Sequence, residues 1–297
     1  MPIAALCEKL CLSSGAVKGR KDACSSAWRK VKPTAFFARH PVFRLDEFRA
    51  AHLASGQRSA ATTASVLKQH VAAGHLINVR RGLYAVVPPT ADAATFRVDP
   101  FLLASRLTDD AVIAYHAALQ LLGVAYSLSN RITYLTRHRA KPFRFQDLEL
   151  VPVRVPVALR EQEELGGGIR EERRQSLVVR VTGYERTLVD VLDAPELGGG
   201  WEEIWRSLEA IELVDLDFVV EYALRLGSAL TIARVGFFLE QHRDVLLVED
   251  RHLEALQART PNQPIYIERR ARGGKLVRRW NLIVPDAVRT RAWAEVA

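Results

Sequence analysis

The chain has 297 residues, of which 48% are hydrophobic and 26% charged, and its formal net charge is +8. This composition excludes an intrinsically disordered protein, and no run of 18 or more apolar residues is present that could cross a bilayer. The first ten residues lack the basic and apolar regions of a secretory signal, so we expect a cytoplasmic protein with two domains.

The positive charge is concentrated in the N-terminal third of the chain. Residues 1–87 hold 14 Lys and Arg against 4 Asp and Glu, a balance of +10, whereas residues 88–297 hold 28 against 30, a balance of −2. Basic residues gathered in one region are typical of a surface that binds a polyanion such as nucleic acid.

Residues 1–32 are rich in Ser, Gly and Lys and are predicted to form a basic N-terminal arm. Its function is either extra phosphate contact or none. Cys7, Cys11 and Cys24 lie in this arm, and a zinc site would need His40 as a fourth ligand. Their spacings match no zinc finger or ribbon, so we predict ordinary thiols and neither a metal nor any other cofactor.

Residues 33–89 have the pattern of a winged helix-turn-helix domain. Helices are predicted at residues 34–39, after a cap at Asp46, and at residues 60–73, where Gly74 ends the third helix. Two short β-rich segments, residues 75–79 and 83–87, then flank the turn Arg80-Arg81-Gly82. Helices followed by a hairpin give the order of a winged helix, with the two arginines expected at the tip of the wing.

The third helix is expected to contact DNA. If Ala60, Ala64, Leu67 and Val71 face the core, the opposite face carries small hydroxyl side chains and an amide that can approach base edges. The alternative is that these are ordinary solvated positions. The predicted DNA-binding residues are Arg58, Ser59, Thr62, Thr63, Ser65, Lys68, Gln69, Arg80 and Arg81.

Residues 90–98 read as a linker, and residues 99–297 as a larger mixed α/β domain, so the predicted fold class is α+β. Asp99-Pro100 marks a helix start, and strands are predicted at residues 132–136, 148–155 and 177–182. A basic loop between the first two strands is either a second anion contact or a solvated hairpin tip; it contains Arg137, Arg139, Lys141 and Arg144. The triplets at residues 166–168 and 198–200 are predicted to be flexible glycine connections.

The segment VTGYERTLVDVLDAP, residues 181–195, is the most patterned part of this domain. Thr182 and Glu185 have capping-box spacing, and Arg186 and Asp190 are spaced i, i+4, so structural roles account for them, with a catalytic set as the alternative. His116 is predicted to be a packing histidine. Amphipathic helices at residues 201–211, 217–226 and 231–242 should build an α-rich core, and the chain should end in a hairpin with a cationic loop at residues 269–275.

Together these motifs resemble the AbiEi family of bacterial antitoxins. The similarity covers residues 33–247 and rests on HPVFRLDEF, VAAGHLINVRRGLYAVVP, YHAALQLLGV, ITYLT, GYERTLVDVLDAP with GGGWEE, and TIARVGFFLE. The resemblance implies a winged helix that represses its own operon by binding inverted repeats in double-stranded operator DNA. It also implies a C-terminal domain that counters a nucleotidyltransferase-like toxin, commonly without a lasting complex. By position, DNA contacts fall on residues 59–69, Arg80 and Arg81, whereas the N-terminal arm and the C-terminal hairpin depart from the family pattern.

Two other functions remain open on the sequence alone. A metabolite-responsive winged-helix repressor would hold an effector in its second domain, and a DNA-targeted nuclease would carry a C-terminal catalytic domain. A nuclease needs carboxylates that converge on metal ions, and few lie near the predicted strands beyond Asp147 and Glu149. We therefore expect a DNA-binding protein rather than an enzyme. Either a dimer or two independent monomers would suit inverted repeats.

Overall fold

The computed structural model describes residues 33–54, 60–161, 167–268 and 273–293, with the side chains of residues 60–62 left out. Over these residues the protein is mixed α/β, with helices and three sheets, which confirms the predicted mixture of helices and strands. The predicted N-terminal arm, Arg58 and Ser59 lie outside the described residues.

The N-terminal unit, residues 33–88, alternates helices with the strands of one small sheet. The sheet is antiparallel with the strand order β1-β3-β2. The elements are α1 (Pro33–Phe37), β1 (Val42–Arg44), α2 (Leu45–Ala54), α3 (Ala60–Ala72), β2 (Leu76–Arg80) and β3 (Leu83–Val86).

Aromatic packing holds this unit together. Phe36, Phe37, Phe43 and Phe48 are all buried, and the ring of Phe36 lies 5.2 Å from those of Phe43 and Phe48 in edge-on geometry. Such edge-on pairs add roughly 0.5–1.5 kcal/mol each beyond the burial of their area. Leu67 attaches α3 to the same cluster. The predicted inward position of Leu67 is confirmed.

The second domain, residues 99–293, is built on a six-stranded sheet of order β6-β7-β5-β4-β9-β8. Its strands are β4 (Val112–Ile113), β5 (Arg131–Thr136), β6 (Phe143–Phe145), β7 (Leu148–Arg154), β8 (Ile169–Arg174) and β9 (Leu177–Thr182). Its helices are α4 (Pro100–Ser105), α5 (His116–Leu121), α6 (Tyr184–Asp193), α7 (Trp201–Glu209), α8 (Leu216–Leu226), α9 (Ala229–Gln241), α10 (Arg243–Leu246), α11 (Asp250–Gln257) and α12 (Asp286–Thr290). Asp99 caps α4 as predicted, because its Oδ1 accepts from the backbone N–H groups of Phe101 and Leu102 at 3.0 and 3.1 Å.

Both faces of the large sheet are buried. Side chains alternate along each strand, so Val112 and Leu135 join the helical core around Trp205, while Ile113 and Tyr134 join a second core on the opposite face. The predicted α-rich core around the sheet is therefore present on one face. The other face is covered by α4 and by the N-terminal unit.

The N-terminal sheet packs directly against the second domain. Val42, Val79, Leu83 and Ala85 are buried in the same apolar cluster as α4. The intervening segment, predicted as a linker, is also packed: Val98 is buried, and its backbone N–H donates to the side chain of Gln146 at 3.2 Å. The two parts therefore share a core.

The chain ends in a small three-stranded sheet formed by β10 (Ile265–Tyr266), β11 (Lys275–Val277) and β12 (Leu282–Val284). The predicted hairpin between the segments before and after the cationic turn is wrong. β12 is the central strand: β10 pairs with one side of it in parallel, and β11 pairs with its other side antiparallel. A 3-10 turn at Arg278–Trp280 separates β11 from β12, because Trp280 turns into the core there. Among the described residues, no helix combines the length and the apolar character needed to cross a membrane.

Candidate functional site

The exposed face of α3 carries three of the predicted DNA-binding residues. Ser65, Lys68 and Gln69 are all exposed. Thr63, predicted on this face, is only 3% exposed, whereas Ala64, predicted to be buried, is exposed. The predicted orientation of these two side chains was wrong, because Thr63 and Leu67, four residues apart, define the buried stripe of the helix. Thr62 belongs to α3, but its side chain is outside the described part.

Arg80 is exposed at the end of β2, beside the turn, but it is also held by contacts with the second domain. Its Nη2 donates to the carbonyl of Leu107 at 2.9 Å, and its guanidinium carbon lies 5.5 Å from the centre of the Phe143 ring. Arg81 is exposed, and Gly82 takes a φ of 80° that closes the turn. Both arginines are therefore exposed, and Arg80 is in addition fixed to the second domain through Leu107 and Phe143.

Other polar contacts fix the N-terminal unit on the second domain. Arg44 Nε donates to the carbonyl of Arg106 at 2.9 Å, and Arg106 in turn forms an ion pair with Glu47 at 2.8 Å. In the turn between β8 and β9, the hydroxyl of Ser176 donates to the carbonyl of Arg39, which follows α1, at 2.9 Å. These bonds and the shared core restrict rotation of one part against the other.

The basic loop lies beside the turn of the N-terminal unit. Arg137, Arg139, Lys141 and Arg144 are all exposed. The loop is not a hairpin tip, because β5 and β7 are parallel and β6 returns antiparallel at the sheet edge. Since Phe143 contacts Arg80, the loop and the Arg80-Arg81 turn form neighbouring parts of one surface.

Two acidic residues anchor the start of the basic loop. Asp110 accepts from the hydroxyl of Thr136 and from the backbone N–H of Arg137, both at 2.6 Å, and Asp109 pairs with His138 at 2.8 Å. Burial alone would raise the pKa of Asp110, but these hydrogen bonds to its carboxylate more than offset it and lower the pKa. Potential metal-ligand atoms of Asp109, Asp110 and His138 lie within 4.8 Å of one another. Their hydrogen bonds to the loop already account for this arrangement.

The patterned helix α6 has an interior role. Arg186 and Asp190 form an ion pair at 3.3 Å and are 0% and 2% exposed, so they are closed to a substrate. Tyr222 donates to Asp190 at 2.8 Å, and Arg186 donates to the carbonyl of Gly167 at 2.8 Å. The predicted capping box is wrong, because the N-cap is Gly183 and the hydroxyl of Thr182 is paired with that of Thr187.

The loop after α6, residues 195–200, separates two polar cavities that the sequence did not reveal. The smaller cavity, about 350 Å³, contains His116 and Glu203. His116 Nε2 lies 3.0 Å from Glu203 Oε1, which confirms that this histidine has a packing partner. Glu203 also accepts from the hydroxyls of Ser127 and Ser207 at 2.6 and 2.9 Å. Burial opposes ionisation of Glu203, but these hydrogen bonds and the neighbouring His116 lower its pKa overall.

Two of the three glycines of this loop, Gly198 and Gly199, are closely packed, contrary to the expectation of a flexible connection, whereas Gly200 has open space around its Cα. A side chain at Gly198 would overlap Ile204, and one at Gly199 would overlap Glu203. The predicted flexibility was based on composition alone, whereas close approach of the backbone to α7 is the physical reason for glycine here. Gly167, in the other triplet, is fixed by its hydrogen bond to Arg186.

Comparisons with known proteins support the fold but identify no family. No family model matches the chain, and no curated protein matches it. The chain is similar in structure to the RV2827C protein from Mycobacterium tuberculosis, with a TM-score of 0.55 and 16% sequence identity. The similarity covers 84% of this chain and 89% of that one. At this identity the likeness concerns the fold alone.

Proposed function

We propose that the chain is a sequence-specific double-stranded DNA-binding protein whose N-terminal unit acts as a winged helix. The observation that carries the proposal is the solvent-facing side of α3, which presents Ser65, Lys68 and Gln69 together. The order helix, strand, helix, helix, strand, strand supports it, since this is the order of a winged helix. In that fold the helix before the hairpin enters the major groove.

The side chains on α3 suit two kinds of contact. Gln69 can form paired hydrogen bonds with adenine in the major groove, and the small hydroxyl of Ser65 can reach a base edge. Lys68 suits a contact with a phosphate, which fixes the position of the protein on the duplex without reading the base sequence. Arg81 supplies a phosphate contact from the turn, whereas Arg80 acts by holding that turn against the second domain.

The motif resemblance extends the proposal to an autorepressor and antitoxin. The DNA would be an inverted repeat in the operator of the protein's own operon, and the functional partner a nucleotidyltransferase-like toxin encoded beside it. No catalytic step is assigned to this chain. The family motifs GYERTLVDVLDAP and TIARVGFFLE form α6 and α9, which build the core of the second domain. They support a common architecture rather than a surface for the toxin.

Binding to the DNA upstream of the gene tests the proposal by band shift and competition. Replacing Gln69 with alanine should cost roughly 1–3 kcal/mol against the native operator and relax base preference at one position only. The Lys68→Ala variant should weaken binding to all sequences alike. Gln257→Ala and Lys275→Ala are matched controls on exposed positions of α11 and β11 and should leave binding unchanged.

Unchanged affinity and specificity in the Gln69→Ala/Lys68→Ala double variant would refute the placement of the recognition surface on α3. The antitoxin half is tested separately by co-expression with the neighbouring nucleotidyltransferase. The double variant should still restore growth, because its substitutions lie outside the second domain. Failure of the wild-type chain to restore growth would refute the antitoxin assignment and leave the DNA-binding result intact.

A further inference from the structure

The larger cavity beside the loop after α6 has a volume of about 790 Å³. It forms where the end of α6, the starts of α7 and α9, and the residues after β10 meet. We call it the acidic cleft, because its lining contains three carboxylates and one guanidinium. The residues that define it are Asp193, Glu196, Trp201, Thr231, Arg234 and Glu268.

Two of the carboxylates are held in place by neighbouring donors. Thr231, only 1% exposed, donates its hydroxyl hydrogen to Asp193 Oδ1. The indole Nε1 of Trp201 donates to Glu268 Oε2 at 3.2 Å. Asp193 is half-buried, whereas Glu196 and Glu268 are exposed, so the hydrogen bonds from Thr231 and Trp201 are what hold Asp193 and Glu268 in position for binding.

Arg234 forms the floor of the cleft and is committed to the protein. It is 6% exposed, and its Nη1 donates to the carbonyls of Leu192 and Asp193 at 2.9 and 2.8 Å. Its Nε donates to the carbonyl of Ile267 at 2.9 Å, and its guanidinium carbon lies 5.4 Å from the Trp201 ring. These bonds orient the guanidinium towards the main chain, so it supports the cleft rather than attracting an anion into it.

We propose that the acidic cleft binds an organic cation through an ammonium or guanidinium group. Carboxylates form short, charge-assisted hydrogen bonds with such groups, and three of them would repel an anionic ligand. A bare metal ion needs far less space, whereas cavities of roughly 300–1,000 Å³ hold organic ligands. The cation is either a small free amine or an arginine or lysine side chain of another protein, and both present the same chemistry to Asp193 and Glu268.

The indole N–H of Trp201 provides a direct probe of the cleft. The chain contains five tryptophans, so full-length protein labelled with nitrogen-15 at tryptophan gives a simple indole spectrum, and Trp201→Phe assigns the relevant signal. Titration uses agmatine as the small cation and a blocked pentapeptide with one arginine as the side-chain source. We expect the Trp201 signal to move with ligand while that of Trp280, buried elsewhere, stays in place.

Isosteric amides test which carboxylates bind the cation. Asp193→Asn and Glu268→Gln retain acceptors for Thr231 and Trp201 but lose the charge, and each should weaken binding about tenfold or more. Glu212→Gln removes an exposed carboxylate outside the cleft and should change nothing. Tighter binding of the peptide than of agmatine assigns the site to a protein partner, and the reverse assigns it to a free amine.

Two results would overturn the assignment. One is an unmoved Trp201 signal with both ligands at about 10 mM, where even a site with a millimolar Kd is saturated. The other is equal weakening by Glu212→Gln and Asp193→Asn, which would show general attraction to a negative surface. Neither depends on the binding of DNA, so failure here is separate from failure of the proposed operator function.

Discussion

Arg186 and Asp190 show how much burial changes the meaning of a sequence spacing. An i, i+4 pair on a helix is commonly a solvated ion pair that contributes a few tenths of a kcal/mol. Here both partners are inside the second domain, with Tyr222 bonded to the carboxylate. Transfer of the two charges from water is costly, so removing one partner leaves the other buried without its main countercharge.

We predict that Asp190→Ala lowers the free energy of unfolding by about 3–5 kcal/mol. Tyr222→Phe, which removes one hydrogen bond to the charged group, should cost about 1.5–3 kcal/mol. Glu202→Ala is the matched control, because Glu202 and Arg206 form a half-exposed i, i+4 pair on α7 and its loss should cost roughly 0.5 kcal/mol or less. Urea unfolding followed by circular dichroism measures all three. Equal effects at Asp190 and Glu202 would contradict the interior role.

At the scale of elements, α9 and the last strands meet at a glycine. Trp280 is fully buried, and its Nε1 donates to Glu240 Oε2 at 2.7 Å. A Cβ atom at Gly236, in the middle of α9, would overlap the six-membered ring of Trp280. Glycine is unfavourable in a helix interior by up to about 1 kcal/mol relative to alanine, so its presence here follows from the close approach of the indole.

Replacing Gly236 with alanine should therefore destabilise the protein by about 1–3 kcal/mol, although the same change in an open helix would stabilise it. The cause is tested by a double-mutant cycle with Trp280→Leu. In that background the smaller side chain leaves room for the new methyl group, and the penalty of Gly236→Ala should largely disappear. An unchanged penalty, measured by urea unfolding of the four proteins, would rule out the Trp280 contact as its source.

The sequence predicted local elements better than it predicted their faces and pairing. The third helix was placed at residues 60–73 and α3 spans Ala60–Ala72, while β9 matches its predicted bounds. The face of α3 was misplaced because alanine and threonine are both small, so hydrophobic periodicity hardly distinguishes Thr63 from Ala64. β8 was missed because its sequence, IREERR, is strongly charged. The parallel pairing of β5 with β7 depends on contacts that no local pattern encodes.

The candidate sites show the same division between local and distant information. Ser65, Lys68 and Gln69 lie on one helix, so periodicity could bring them together. Asp193 and Glu268 of the acidic cleft come from separate elements that only the tertiary fold unites. Asp193 directly ends the recognised motif helix α6, but its position gave no sign of a distant carboxylate partner.

At the scale of the whole molecule, the N-terminal unit and the second domain act as one packed structure. Val79 and Leu83 share a core with α4, and Arg80 bridges to Leu107 and Phe143. This arrangement places the basic loop next to the proposed wing. A DNA duplex that contacts Arg81 would therefore pass close to Arg139 and Lys141, and the second domain would contribute phosphate contacts to the same complex.

The salt dependence of operator binding measures these contacts. The logarithm of the binding constant falls linearly with the logarithm of the salt concentration. Each phosphate neutralised by a basic side chain makes this slope steeper by about 0.9, because bound counterions are released. Arg139→Ala/Lys141→Ala should thus make the slope shallower by about 1.8 and weaken binding to operator and unrelated DNA alike. Fluorescence anisotropy across a series of salt concentrations gives both quantities, with Lys275→Ala/Arg278→Ala as a control of equal charge on the C-terminal part of the second domain.

The two double variants separate local contact from long-range charge. Both lower the net charge by the same amount, so a general electrostatic effect would reduce affinity equally, whereas direct phosphate contact changes the slope only for Arg139 and Lys141. Base discrimination through Gln69 should survive in both, because phosphate contacts carry no sequence information. If the slope falls equally in the two variants, the basic loop lies outside the footprint and the N-terminal unit binds DNA without help from the second domain.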